Sequence, residues 1–270
     1  MSGVLEFTVL GSGSSGGVPR ADGGWGVCDP ANPKNHRTRC SFLVRRRGQG
    51  PESETTVVVD TSPEFRLQSA AAGVKRVDAV LYTHDHADQV HGIDDLRAFY
   101  LIWRRQTPCY MDEATLRGLT RRFDYVFEGQ GGYPAICEPR PLPPHGQAWA
   151  VDGPSGAIPV LGFDQDHGGG VRSVGFRFGP VAYSADVLDL PEQAFEALAG
   201  VEVWIVDALR DTPHPTHAHV AKALEWIEAV KPRRAILTNL HIDLDYAALK
   251  ARLPDNVEPA YDGMRFEAPI

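Results

Sequence analysis

The segment T-H-D-H-A-D-Q-V-H-G, Thr83 to Gly92, crowds imidazoles and carboxylates into one short stretch. His84 and His86 follow the apolar run Val77 to Tyr82, so both leave a strand end, where two-residue spacing turns their side chains to the same side. Asp88 comes two residues later, where its carboxylate can cap a helix starting near Val90 and also face the same space. Each has an ordinary explanation alone: a packed or surface histidine, a helix cap. Together, imidazole and carboxylate suit Zn, Mn or Fe rather than Ca, and metal binding is the chemistry expected.

A complete site needs ligands from elsewhere. Three further polar clusters adjoin strand-like runs: Asp164-Gln-Asp-His167-Gly-Gly, Tyr183-Ser-Ala-Asp186 and Thr238-Asn-Leu-His241. Singly, Asp186 reads as a turn residue and His241 as a helix-flanking one. Their recurrence beside strands makes them candidate ligands. The loop G-S-G-S-S-G-G, Gly11 to Gly17, could bring bare backbone N–H groups close to an anion. It lacks the lysine and Ser/Thr of a Walker loop, and a tight turn packed below the metal site explains it as well, so Ser14 and Ser15 are secondary substrate-binding candidates.

The elements that would position these groups are legible as short branched runs: Leu5 to Leu10, Ser41 to Val44, Thr56 to Val59, Val77 to Tyr82, Val201 to Val206 and Ala235 to Leu237 read as strands. Between them Thr216 to Val230 is patterned as a helix, with Val220, Leu224, Ile227 and Val230 on one face and Pro232 as its stop. Helices are also expected over Pro63 to Ala72, Asp88 to Leu101, Glu113 to Phe123, Glu192 to Ala199 and Asp245 to Arg252. The Pro- and Gly-rich stretch Arg140 to Gly156 marks a seam between two similar halves, and without a long linker 1–270 is expected to form one α/β domain. Two sheets packed face to face with helices outside would suit this order, as one option among layered α/β folds.

Composition narrows the partners. A net charge of -8 disfavours long RNA or DNA, whose binding rests on neutralised phosphates, and favours a small substrate. The longest apolar runs are too short to span a bilayer, and the N-terminus lacks a basic stretch followed by an apolar core, so no membrane and a cytoplasmic location are expected. The four cysteines, Cys28, Cys40, Cys109 and Cys137, form no C-x-x-C pair and read as reduced packing thiols.

The order of these motifs resembles the metallo-β-lactamase superfamily, whose signature is H-x-H-x-D-H after a strand, then a histidine, a bridging aspartate and a last histidine. The opening V-L-G-S-G-S-S-G-G-V-P-R, with P-H-P-T-H and T-N-L-H-I-D-L-D downstream, is similar to the phosphodiesterase branch that includes phosphoribosyl cyclic phosphate phosphodiesterases and, more distantly, tRNase Z. The resemblance implies a four-layer αββα sandwich and one or two divalent ions per chain, Zn or Mn. It implies a first metal on His84, His86 and His167, and Asp186 bridging to a second held also by Asp88 and His241. The remaining second-metal position falls on Gln89, whose neutral carbonyl oxygen binds transition metals more weakly than imidazole, so the second site is expected to be weakened.

The resemblance also places a non-ligand histidine at His214 or His217. His217 is favoured as acid for the leaving alkoxide, with His214 beside the substrate and Asp88 orienting the nucleophile. The function this implies is a metal-dependent hydrolase, a phosphodiesterase acting on small cyclic or nucleotide-like phosphate esters. Alternatives are a lactonase-type or tRNase Z-type hydrolase, or a binding protein silenced by Gln89. Relatives often pair, so a homodimer is possible, and the cysteine-rich structural zinc of some relatives is not expected here, where only Cys28 stands in W-G-V-C-D-P.

Overall fold

The computed structural model describes residues 3–270. Fourteen strands lie in chain order: β1 Val4–Gly11, β2 Ser41–Arg46, β3 Thr55–Val59, β4 Ala79–Leu81, β5 Thr107–Met111, β6 Cys137–Pro141, β7 Ala148–Val151, β8 Ile158–Gly168, β9 Val171–Phe178, β10 Val181–Ser184, β11 Val203–Asp207, β12 Arg234–Thr238, β13 Val257–Pro259 and β14 Met264–Pro269. They form two seven-stranded sheets, ordered β14-β1-β2-β3-β4-β5-β6 and β13-β12-β11-β10-β9-β8-β7. The first sheet therefore ends on β6 and the second begins on β7, on either side of Pro143 and Pro144, while β14 returns to the first sheet beside β1.

Side chains alternate across each strand, so one strand feeds two cores. In β2, Phe42 and Val44 join the layer between the sheets, with Phe7, Phe176, Phe178, Tyr183 and Ile205. Leu43, between them, points outward to a second core with Val58, Val80, Phe65, Leu96 and Leu119. On the far side Trp204, Val206 and Leu237 pack against Leu198, Ala223 and Trp226. Burial on both faces explains why β3 (T-T-V-V-V) and β11 (V-W-I-V-D) are nearly continuous apolar runs. The Phe42 and Tyr183 rings, 4.8 Å apart and within 3° of parallel, link the sheets directly. Helices outside two stacked sheets are the αββα arrangement expected.

Three helices differ from their expected extents, and the one expected to end at Phe123 runs on to Glu128 through non-helical angles at Phe123 (φ -138°, ψ 41°). The helix expected over Asp88 to Leu101 is three pieces: a turn at Ala87–Val90, a 3-10 turn at Ile93–Leu96 and a helix at Arg97–Trp103. The break lies at Gly92, whose N–H donates to the Thr61 carbonyl (2.9 Å) and where an added Cβ would stand 2.1 Å from the Ser62 carbonyl oxygen. The helix expected from Thr216 begins only at Val220. Before it, Ala218 donates to the Val187 carbonyl (2.7 Å) and accepts from the Leu209 N–H (2.9 Å), which holds the segment extended against the second sheet.

Strands β3, β4 and β5 run parallel, as do β10, β11 and β12, and β8 reaches the same direction by two antiparallel steps. Asp60, Thr83, His167, Asp186, Asp207 and Asn239 consequently emerge together at the carboxyl ends of strands from both sheets, the usual place for a site in a parallel sheet.

Candidate metal centre

Three of the residues at this edge have positive φ: Asp60 (60°), Asp186 (54°) and Asn239 (63°). Asp and Asn are the side chains other than glycine that best tolerate this region, and such conformations are retained where the surroundings over-determine them. The sharp turn puts each side chain beneath the loops instead of along its strand.

His84, 1 % exposed, is built from below. The Thr83 hydroxyl donates its one hydrogen to Asp60 Oδ2 (2.9 Å), and Asp60 Oδ1 accepts the Thr83 N–H (2.9 Å). The hydroxyl oxygen is then free to accept from His84 Nδ1 (3.0 Å). That fixes the tautomer: the proton is on Nδ1 and the lone pair on Nε2, which is buried with no protein partner. His167 follows the same logic, since its Nδ1 lies 2.8 Å from the Thr216 carbonyl, which can only accept. Its Nε2 is therefore unprotonated and stands 3.2 Å from His86 Nδ1.

Burial, reinforced by the neighbouring imidazoles, drives the His84 pKa well below its ordinary value and that of His167 to about 3. Protons are thus unfavourable occupants of this space. His84, His86 and His167 offer ligand atoms within 4.8 Å of one another, and His167, Asp186 and His217 form a second such group. The inward lone pairs of His84 and His167, each backed by a hydrogen-bonded outer nitrogen, are donors that a divalent transition metal takes. Asp186 adds a buried carboxyl whose pKa burial raises well above the usual range, so an adjacent cation would favour its ionised form.

His217 sits beside this group, its ring 4.8 Å from that of His167. Its Nδ1 lies 2.8 Å from Asp207 Oδ2 and 3.9 Å from Asp186 Oδ1. Burial alone would lower its pKa, but the carboxylates, Asp207 foremost, raise it to about 9. His214, half-buried, stands next to it with ring centroids 5.2 Å apart and accepts the Thr216 N–H at Nδ1 (3.3 Å).

The residues expected at a second ion are arranged differently. Gln89 directs its amide nitrogen, not its oxygen, to Asp186 Oδ2 (3.0 Å) and Asp88 Oδ2 (3.4 Å), while Oε1 is buried without a partner. His241 Nε2 lies 2.5 Å from the Arg20 guanidinium. Asp88 borders a cavity of about 660 Å³ that Ser15, Arg20, Arg39 and His91 also line. Ser14 is buried behind it, its N–H 3.4 Å from the Leu240 carbonyl. Sequence reasoning missed Asp60, Thr83, Asp207 and Arg20. Asp207 alone left a signal, a carboxylate closing the apolar run V-W-I-V.

Residues 55–242 match the β-lactamase superfamily domain, and the chain belongs to that superfamily. A solved diphosphatase from the PhnP family is 30 % identical, with a TM-score of 0.83 over 100 % of this chain and 99 % of that one. Zinc-bound PqqB from Methylobacterium extorquens (18 % identity, TM-score 0.74, 97 % and 99 % covered) and the short form of human tRNase Z (15 %, 0.62, 97 % and 98 %) share the fold. An octanoyltransferase of Porphyromonas gingivalis is 30 % identical over 96 % of this chain, which spans about half (51 %) of that protein. Among the described residues no helix is long and apolar enough to cross a membrane.

Proposed function

We propose that the protein is a cytoplasmic, metal-dependent phosphodiesterase that hydrolyses small cyclic or nucleotide-like phosphate esters. The observation that carries this is the His217 imidazole, held by Asp207 at 2.8 Å beside the converging ligand atoms of His84, His86 and His167. A Zn or Mn ion held by those three histidines and Asp186 would supply a Lewis acid for a phosphoryl oxygen and lower the pKa of a water.

The chain's own groups account for the rest. Asp207 keeps a proton on Nδ1 of His217, which leaves Nε2 to protonate the departing alkoxide. Asp88, at the cavity wall, orients the attacking water. Arg20 at the cavity wall offers N–H donors to a phosphate ester, while Arg39 beside it is paired with Glu64 (2.7 Å). The 30 % identity to a PhnP-family diphosphatase along the whole chain supports phosphorus over carbon as the centre attacked.

A second reading, attack on an acyl carbon, draws on the match to half of the octanoyltransferase. The test is one substrate panel with Zn or Mn added: cyclic phosphates, a linear phosphodiester, a diphosphate, a lactone, an octanoyl thioester and a tRNA precursor. Turnover of phosphodiesters well above the acyl compounds is expected. Preference for the thioester or lactone would overturn the assignment, and tight phosphate binding without turnover of any ester would support the silenced-protein reading.

A further inference from the structure

We infer that the Arg20 guanidinium, held by His241, stands as the second cation of this centre, so that the chain takes one metal ion rather than two. The inference rests on the metal-centre reading above but not on any particular substrate.

Arginine has five N–H donors and no acceptor, so its 2.5 Å contact commits the lone pair of His241 Nε2. The ring proton is then on Nδ1, where Asp243 Oδ2 lies at 2.8 Å, off the ring's N–H direction. The nitrogen that could ligate a second ion is therefore occupied by a fixed charge. Gln89 completes the substitution: its amide hydrogens face the carboxylates of Asp186 and Asp88. The two acidic groups are thus met by the neutral amide of Gln89, while the guanidinium of Arg20 takes the imidazole nitrogen of His241. Among the described residues, neither Asp88 nor His241 belongs to a group of three metal-capable side chains, whereas His84, His86, His167, Asp186 and His217 do.

Arg20 is held for this role by its backbone. Its N–H donates to the Gly24 carbonyl and its own carbonyl accepts from Gly23, both at 2.8 Å. Its stem lies against Gly16, where an added Cβ would meet Arg20 atoms at 3.4 to 3.9 Å. The guanidinium thus lines the cavity that Asp88 and Arg39 share, with hydrogens left for a phosphoryl oxygen. Unlike a metal ion, this cation cannot be removed by a chelator.

The test counts metal without using a substrate. Wild type, Q89H, R20M and the R20M/Q89H double variant are saturated with Zn(II) or Mn(II), desalted, and analysed for metal per chain. One equivalent is expected in wild type and in Q89H alone, and two in the double variant, with exchange-coupled Mn(II) pairs seen by electron paramagnetic resonance only there. Two tightly held equivalents in wild type would overturn the inference. So would two in Q89H, which would make glutamine alone the determinant, or one in a folded double variant that keeps its first ion. If the double variant misfolds, wild type and Q89H still decide the matter. A chain that binds one ion yet hydrolyses no phosphate ester would defeat the proposed function and leave this inference standing.

Discussion

The Thr83 hydroxyl lies 3.0 Å from His84 Nδ1 and turns the lone pair on the ring's far side toward His86 and His167. Thr83→Val keeps the shape and removes the acceptor, leaving a buried N–H unpaired and the ring free to change tautomer. Metal affinity should fall about 10- to 100-fold, the usual effect of deleting a group that orients a ligand. Competition with a chromogenic chelator measures it; unchanged affinity would show that packing alone orients His84.

Asp207 Oδ2 faces His217 Nδ1 (2.8 Å) and also accepts the Val187 N–H (3.0 Å) beside Asp186, an acceptor that asparagine keeps. Asp207→Asn should lower kcat by about 100-fold or more, the scale of a lost general acid, while metal content stays at the wild-type value. Elemental analysis beside steady-state kinetics separates the two effects. Loss of metal together with activity would place Asp207 among the groups that hold the ion.

Far from the site, Glu6 links Arg45 (2.6 Å) and Arg47 on the outer part of β1 and β2, and Arg45 is almost fully buried. Burial alone would raise the Glu6 pKa, but the two guanidinium groups outweigh it and hold the carboxyl below its ordinary 4.5. A depressed folded-state pKa gives stability that is present above about 4.5 and is lost as pH falls through the lower, folded value. Glu6→Gln should cost about 1 to 2 kcal/mol at pH 7, since Arg45 loses its shortest ion pair but keeps Glu54 (3.6 Å) and the Ala72 carbonyl (3.2 Å). The gap in urea midpoint between the two proteins should narrow in acid, and a gap constant with pH would refute this account.

Gly92 approaches the Ser62 carbonyl too closely for any side chain. Gly92→Ala should destabilise the fold by about 3 kcal/mol, at the upper end of ordinary substitutions, and also weaken metal binding by displacing the segment that follows His84 and His86. Thermal unfolding with and without added Zn checks both parts. A loss of stability with metal affinity intact would confine the effect to packing.

The residues that the structure brings together here were legible because side chains that could hold a metal are chemically distinctive and recur at strand ends, as with His84, His86, His167 and Asp186. The supporting groups were not. Thr83 and Asp207 are ordinary residues whose importance comes from which atom they face across the fold, and Arg20 meets His241 from the other end of the sequence. The extent of β8 was also hidden: Asp164 to His167 lie inside the strand and, with Gly162, interrupt the apolar alternation that marks one. The expected helix over Asp88 to Leu101 failed for the opposite reason: its periodicity was sound, and only the Thr61 and Ser62 carbonyls, distant in sequence, break it at Gly92.

The pairing of β14 with β1 joins position 269 to position 4. During synthesis the amino-terminal half emerges first, yet its sheet must wait with β1 as a bare rim until residues 264 to 269 have left the ribosome. Strands closed by such distant segments form slowly, and an uncovered rim pairs readily with other chains. Nascent or carboxy-truncated chains should therefore depend on chaperones, and ribosome-bound fragments ending before Met264 should be the ones that aggregate.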